Sequence, residues 1–244
     1  MRSFHPVAEA RARLVCFPHA GGSASAYFTL SAALADVGIE VWAVQYPGRQ
    51  DRFREACVEK ADLIVDAVIT ELNELLGDGS AFGLFGHSMG ALLAFETARC
   101  LEQDGHTPAL LVVSGHDAPS LPWPPPGARS LANADNAALI DEMHLIAGPG
   151  TAPPFEPMLL RMILPPLRTD YRVLEGWRYV PGTRMNSPIL ALAGDCDPRV
   201  DDDAVAARWA DEARAGFTME ILPGGHFFLD EHVPYLAKVI GARF

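Results

Sequence analysis

Short apolar runs punctuate this chain at 14–17, 39–44, 81–85, 109–114, 189–193 and 217–222, each bracketed by Gly, Pro or charged residues. They are rich in β-branched or aromatic side chains and too short for helices. Continuous apolarity without alternation suits strands buried on both faces, so each is expected to be a parallel strand. Between them the period changes. Residues 26–37 have helical composition, and residues 58–76 place Ala61, Val65, Val68, Leu72 and Leu75 on one helical face. Residues 91–101, a stretch near 203–212 and residues 233–242 complete the expected helices. Such alternation implies right-handed crossovers and an α/β architecture, a mostly parallel central sheet flanked by helices.

The alternation lapses between 115 and 188. Of the 20 prolines, 12 fall from Pro119 to Pro181, a density incompatible with a buried strand. Helical pieces near 136–146 and 157–174 carry Leu139, Ile140, Met143, Leu159, Met162, Ile163 and Leu164, which need a surface to cover. Residues 116–187 are therefore expected to form a helical lid, inserted into one domain spanning 1–244.

The strand before Gly86 and the helix after Gly90 enclose Gly86-His87-Ser88-Met89-Gly90, a G-x-S-x-G pattern in a strand, turn, helix context. In a nucleophile elbow the central residue is strained and strand and helix nearly touch, so the flanking positions must be small. Ser88 would project alone, needing a base for its proton and a third group to orient that base. Both follow in the chain. Gly194-Asp195-Cys196-Asp197-Pro198 comes after one apolar run and Pro223-Gly224-Gly225-His226-Phe227-Phe228 after another. The order Ser88, Asp197, His226 is that of α/β-hydrolases. Asp195 and Asp197 compete for the orienting role, and Asp197 is preferred because this fold presents its acid three positions past the strand-ending glycine. Phe17-Pro18-His19-Ala20-Gly21-Gly22 follows the first strand, where the Ala20 and Met89 amides are the expected oxyanion donors.

Composition narrows the partners. With 49% hydrophobic and 20% charged residues, the 244-residue chain suits one folded core rather than disorder. A net charge of -12 argues against nucleic acid, whose phosphates are bound through excess Lys and Arg. Residues 1–13 lack the apolar core of a signal peptide and no run approaches the roughly 18 apolar residues of a spanning helix, so the cytoplasm is the expected location. Cys16, Cys57, Cys100 and Cys196 show no C-x-x-C spacing, so reduced thiols are expected, with no metal or other cofactor. His19 and His87 read as packing residues and His232 as a surface histidine.

Phe17-Pro18-His19-Ala20-Gly21-Gly22-Ser23-Ala24-Ser25, Tyr46-Pro47-Gly48-Arg49, the G-x-S-x-G stretch, Leu164-Pro165-Pro166-Leu167-Arg168-Thr169-Asp170-Tyr171 and Gly224-Gly225-His226-Phe227-Phe228 together resemble external type II thioesterases of polyketide and nonribosomal peptide assembly lines. The resemblance implies an α/β-hydrolase fold and hydrolysis of acyl or aminoacyl thioesters from the phosphopantetheine arm of a carrier protein; a monomer is expected. His19, Met143 and Phe227 are the expected substrate-binding side chains. The chain departs from many relatives at Ser114-Gly115-His116-Asp117, where His-Asp replaces Arg-Arg. Arg49 reads either as an exposed loop cation or as a brace of the active-site rim. Carrier proteins are commonly acidic, so Arg161, Arg168, Arg172 and Arg178 are candidates to offset the repulsion. A small-molecule carboxylesterase and a non-catalytic carrier-binding protein are the alternatives.

Overall fold

The computed structural model describes residues 1–75, 79–148, 156–200 and 207–244. Its strands are β1 (Ala12–Phe17), β2 (Ile39–Ala43), β3 (Ala81–His87), β4 (Leu110–Ser114), β5 (Ile189–Gly194) and β6 (Phe217–Leu222). All pairings among them are parallel, in the order β2-β1-β3-β4-β5-β6. Register follows from alternation. Val15 pairs with Trp42 on one side and Leu84 on the other, and all three face one core layer; Leu14 and Val41, one position earlier, face the opposite layer.

Each layer is closed by helices that present their apolar stripe. Against one face lie α2 (Ala61–Leu75) and α3 (Met89–Gln103), burying Leu72, Leu92 and Phe95; against the other lie α1 (Phe28–Ala35) and α6 (Val233–Gly241), burying Leu34, Leu236 and Ile240. Between β4 and β5 come α4 (Asn136–Ala147) and α5 (Pro157–Gly176), which reach the α2–α3 layer through Leu139, Leu164 and Leu167. No helix among the described residues is long and apolar enough to cross a membrane.

Several boundaries differ from the sequence reading. The helix expected over 26–37 opens as a 3-10 turn, Ala24–Tyr27, before α1 begins at Phe28. The described part of the 203–212 helix is also 3-10, Ala207–Glu212, while residues 203–206 lie outside the described residues, as do Leu76 and the side chain of Leu75. Pro165 and Pro166 sit inside α5, where each removes a backbone donor. The Thr169 hydroxyl donates to the Pro165 carbonyl at 3.1 Å. Leu139 and Leu164 are covered as expected, but Leu159 and Met162 stay 47% and 59% exposed, because they lie on the face of α5 turned from the core. The four cysteines are free thiols.

The strand order reverses direction between β1 and β3, and a crevice opens there at the carboxyl ends of the strands, the usual ligand position in open parallel sheets. Ser88 follows β3, and the Pro18–Gly22 loop follows β1.

Candidate active site

A Cβ added at Gly86 would lie 2.0 Å from the Gly90 carbonyl oxygen, and one at Gly90 would lie 1.9 Å from that of Phe17. No side chain fits either gap, so strand and helix approach this closely only with glycine at both positions. Ser88 carries the bend, at φ 54° and ψ -122°. A left-handed backbone costs a non-glycine residue about 1–3 kcal/mol. The Ser88 amide donates to the Ser114 carbonyl at 2.7 Å, tying the turn to β4, while its side chain lines a pocket above the crevice.

An imidazole from the loop after β6 lines that pocket, and a carboxylate from the loop after β5 stands behind it. β5 ends at Gly194, where a Cβ would meet the carbonyl oxygens of Gly224 and Gly225 at 2.5 Å, so glycine lets the loops after β5 and β6 touch. His226 Nδ1 donates to Asp197, 2.8 Å from Oδ2 and 3.0 Å from Oδ1. Both residues are buried. With Nδ1 carrying the proton, the neutral ring keeps Nε2 free to accept one. Asp197 Oδ1 also accepts the Arg199 main-chain amide at 2.9 Å.

Asp195 is engaged elsewhere. It is exposed, and its Oδ1 accepts the Gly224 amide at 2.9 Å, a bond that holds its carboxyl below the usual range. Ser88 and His226 line the same pocket, though Ser88 Oγ makes no hydrogen bond among the described residues. His232 lies at the surface, with Nε2 2.8 Å from the Pro223 carbonyl.

In the loop after β1, the Gly21 amide donates to Asp170 Oδ2 at 2.7 Å and the Gly22 amide to the His19 carbonyl at 2.9 Å. The Ala20 and Met89 amides have no such acceptor among the described residues, and Ala20 lines the pocket beside Ser88. Two uncommitted N–H groups beside one hydroxyl suit an oxyanion. Arg49 is a buried brace rather than a loop cation. It grips Asp170 of α5 and donates to the Gly22 carbonyl at 2.9 Å.

His19 and Phe227 meet edge to face at 4.9 Å and both line the pocket. His87 is buried, with Nδ1 3.0 Å from Ser114 Oγ and its ring 4.9 Å from that of His226. Burial, reinforced by repulsion from His226, pushes the His19 imidazole down to about 4 and that of His87 well below its ordinary value. Both rings are therefore neutral neighbours of His226. Met143 does not line the pocket and packs against the core layer instead. Glu142 and Ile146, four residues apart on one face of α4, take its place.

Sequence reasoning passed over Glu142, Trp123, Tyr171 and Arg199, which line the pocket with His116. Arg199 pairs with Glu142, and its guanidinium lies 5.5 Å from the Trp123 ring. The separation of Glu142, Trp123 and Arg199 in the chain left no local signal, whereas Asp170 and Tyr171 lay within a conspicuous motif that gave them no role. Of the four arginines weighed for docking, Arg168 bonds the Ala134 carbonyl and Asn136, Arg172 pairs with Glu59, and Arg178 bonds the carbonyls of Glu175 and Trp177. Arg161 remains exposed. No three His, Cys, Asp or Glu side chains converge as a metal site among the described residues.

A family model described as the thioesterase domain matches residues 12–244. "Thioesterase PikA5" of Streptomyces venezuelae is 40% identical over 95% of this chain and 80% of its own length. The "probable cadicidin biosynthesis thioesterase" of Streptomyces griseus is also 40% identical, over 96% of this chain, which spans 62% of that relative's length. Among solved structures, the type II thioesterase BorB from the borrelidin biosynthetic cluster superposes with a TM-score of 0.90 at 38% identity, covering 99% of this chain and 96% of its own. RedJ, a thioesterase from the prodiginine pathway of Streptomyces coelicolor, does so at 0.86 and 34%, covering 97% and 87%.

Proposed function

The chain belongs to the thioesterase family, whose chemistry is the hydrolysis of thioesters, and on that footing we propose that it is a type II enzyme that clears acyl or aminoacyl groups from the phosphopantetheine arm of a carrier protein in polyketide or nonribosomal peptide biosynthesis. The observation that carries the reading is the hydrogen bond to Asp197 from His226, whose ring lines the same pocket as Ser88.

Ser88 Oγ attacks the thioester carbonyl while His226 Nε2 takes its proton. The carbonyl oxygen becomes an oxyanion held by the Ala20 and Met89 amides. Collapse breaks the carbon–sulfur bond, and the His226 imidazolium protonates the departing pantetheine thiolate. Water then attacks the acyl-serine with His226 as base, and the proton returns to Ser88 Oγ as the acid leaves. Asp197 fixes the ring tautomer and balances its transient charge. The Ser88–His226 contact tightens when the acyl chain is bound, as is common where the unliganded site is loose.

Residues 116–187, with α4 and α5, act as a lid inserted within a single domain of residues 1–244. The enzyme works in the cytoplasm as a monomer. The relatives favour neither a carboxylesterase nor a non-catalytic carrier-binding protein.

A fluorophosphonate probe tests the nucleophile: it is expected to label Ser88 in the folded protein and to leave Ser88→Ala unmodified. Carrier proteins loaded with acetyl, propionyl, longer acyl and aminoacyl units test the substrate, with release followed by intact mass. Folded protein that takes no label, or a Ser88→Ala variant that still releases acyl groups, removes the reading.

A further inference from the structure

A groove of about 560 Å³ runs between α5 and the loop from Gly48 to Cys57. Phe53 walls it on the loop side, Leu159, Met162 and Ile163 wall it on the helix side, and Gly21 of the loop after β1 lines it as well. Phe53, Leu159 and Met162 are 59%, 47% and 59% exposed, and Met158, one turn before Met162, is 75% exposed. Contiguous large apolar side chains left in water mark a surface that something covers.

The free charge at this groove is positive, although the chain as a whole carries -12. Its neighbouring acids are already paired. Arg52 holds Glu55, with Nη2 2.5 Å from Oε2, Arg172 holds Glu59, and Asp51 pairs with Arg2. Glu156, before α5, is exposed and does not line the groove. Arg161 lines it, and the Arg54 guanidinium stands 5.5 Å over the Phe53 ring. Both arginines are exposed, and neither has a carboxylate partner among the described residues.

We infer that this groove is the docking site for the carrier protein and receives an amphipathic helix, whose acids meet Arg54 and Arg161 and whose apolar face covers Phe53, Leu159 and Met162. The inference rests on the thioesterase reading and adds the surface on which the partner sits. Helix-in-groove recognition uses apolar anchors at helical spacing, and methionine re-packs around partners of different shape. Local positive charge steers an acidic partner to an enzyme whose net charge would repel it. Gly21 lines the groove and Ala20, next in the chain, lines the pocket with Ser88, so an arm carried by the docked helix enters beside the oxyanion donors.

The test compares kcat/KM for a propionyl-loaded, acidic acyl carrier protein with that for propionyl-pantetheine within each enzyme. The wild type is expected to favour the carrier by at least about 10-fold at low salt, and to lose much of that advantage as salt is raised. Arg54→Glu with Arg161→Glu is expected to cut the carrier rate by about 10-fold or more through KM. Hydrolysis of propionyl-pantetheine should stay within about 2-fold, which also reports an intact fold. Leu159→Ser with Met162→Ser, on the face of α5 turned from the core, should lower the same ratio. A carrier whose helix acids are replaced by lysine should regain activity with the charge-reversed enzyme, a rescue that a merely structural effect would not give.

A wild type that does not favour the carrier, a folded variant of either kind with the wild-type ratio, or a lysine carrier that restores nothing overturns the docking site while leaving the thioesterase reading intact. So does a dimer, measured by sedimentation, that Leu159→Ser with Met162→Ser dissolves, since a second copy then covers the face. A wild type that cleaves neither substrate, with Ser88 unlabelled, overturns both.

Discussion

Arg49 and Asp170 meet in a buried fork, with Nη1 2.7 Å from Oδ2 and Nη2 2.8 Å from Oδ1. Asp170 Oδ2 also accepts the Gly21 amide, and Arg49 Nη1 also donates to the Gly22 carbonyl. One ion pair therefore fixes three things: α5, the Arg49 turn and the loop that presents Ala20. Breaking a buried pair by removing one partner strands the other charge, which typically costs about 3–5 kcal/mol. Asp170→Asn is expected to lower the denaturant midpoint correspondingly, and to reduce kcat because the Ala20 amide loses its anchor. A variant with wild-type stability would show that the fork contributes nothing net.

The turn at Ser88 stores strain that a glycine would not feel. At φ 54°, Ser88→Gly is expected to be more stable than Ser88→Ala by about 1 kcal/mol, both being inactive. The neighbouring glycine behaves oppositely. Gly90→Ala would drive a Cβ to 1.9 Å from the Phe17 carbonyl oxygen, and a loss above about 3 kcal/mol is expected. Equilibrium unfolding of the three variants decides both statements.

Asp195 and Asp197 stand two residues apart with different partners, the Gly224 amide for one and the His226 ring for the other. Asp197→Asn leaves the imidazole without an acceptor at Nδ1, and kcat is expected to fall by on the order of 10⁴-fold. Asp195→Asn should stay within a few-fold of wild type, since a side-chain amide oxygen still accepts from Gly224. Steady-state hydrolysis by the two variants separates the roles, and the reverse ranking would reassign the acid.

Buried imidazoles make stability depend on pH. His19 is lowered from 6.5 to about 4 by burial and by its neighbours His226 and Arg49, and His87 is lowered well below its ordinary value by burial and by the same His226. The unfolded chain protonates His19 near pH 6.5, while the folded chain resists that proton until about pH 4. The folded state is therefore fully favoured above pH 6.5 and loses stability as pH falls toward 4. Urea midpoints measured from pH 7 to 4.5 should decline, and His19→Gln should decline less steeply. Equal slopes would mean that His19 titrates normally.

Strands were the legible part of this sequence. A run such as Leu110–Ser114, buried at every position, has no reason to alternate, and its continuous apolarity announces a central parallel strand. β3 was harder to end, because Gly86 and His87 look like loop residues yet pair with Val113 and Ser114. The elbow, Asp197 and His226 could be anticipated because each sits at a fixed offset from a strand end. Pairings across the chain could not. Arg49 with Asp170 and Arg199 with Glu142 are 121 and 57 residues apart, and no local pattern encodes them. Met143, expected among the substrate-binding side chains, packs on the core layer rather than lining the pocket. α4 turns Glu142 inward instead, since Arg199 supplies its counter-charge.

The imidazole rides on the loop after β6, at one edge of the sheet, whereas the serine follows β3 near its middle. A nascent chain halted after β5 would already hold the strained serine and its carboxylate, yet lack the base that deprotonates one and is steered by the other. Under the proposed mechanism reactivity is withheld until β6 and its loop have been made and have joined the sheet, and a chain cut before His226 would be an unreactive one.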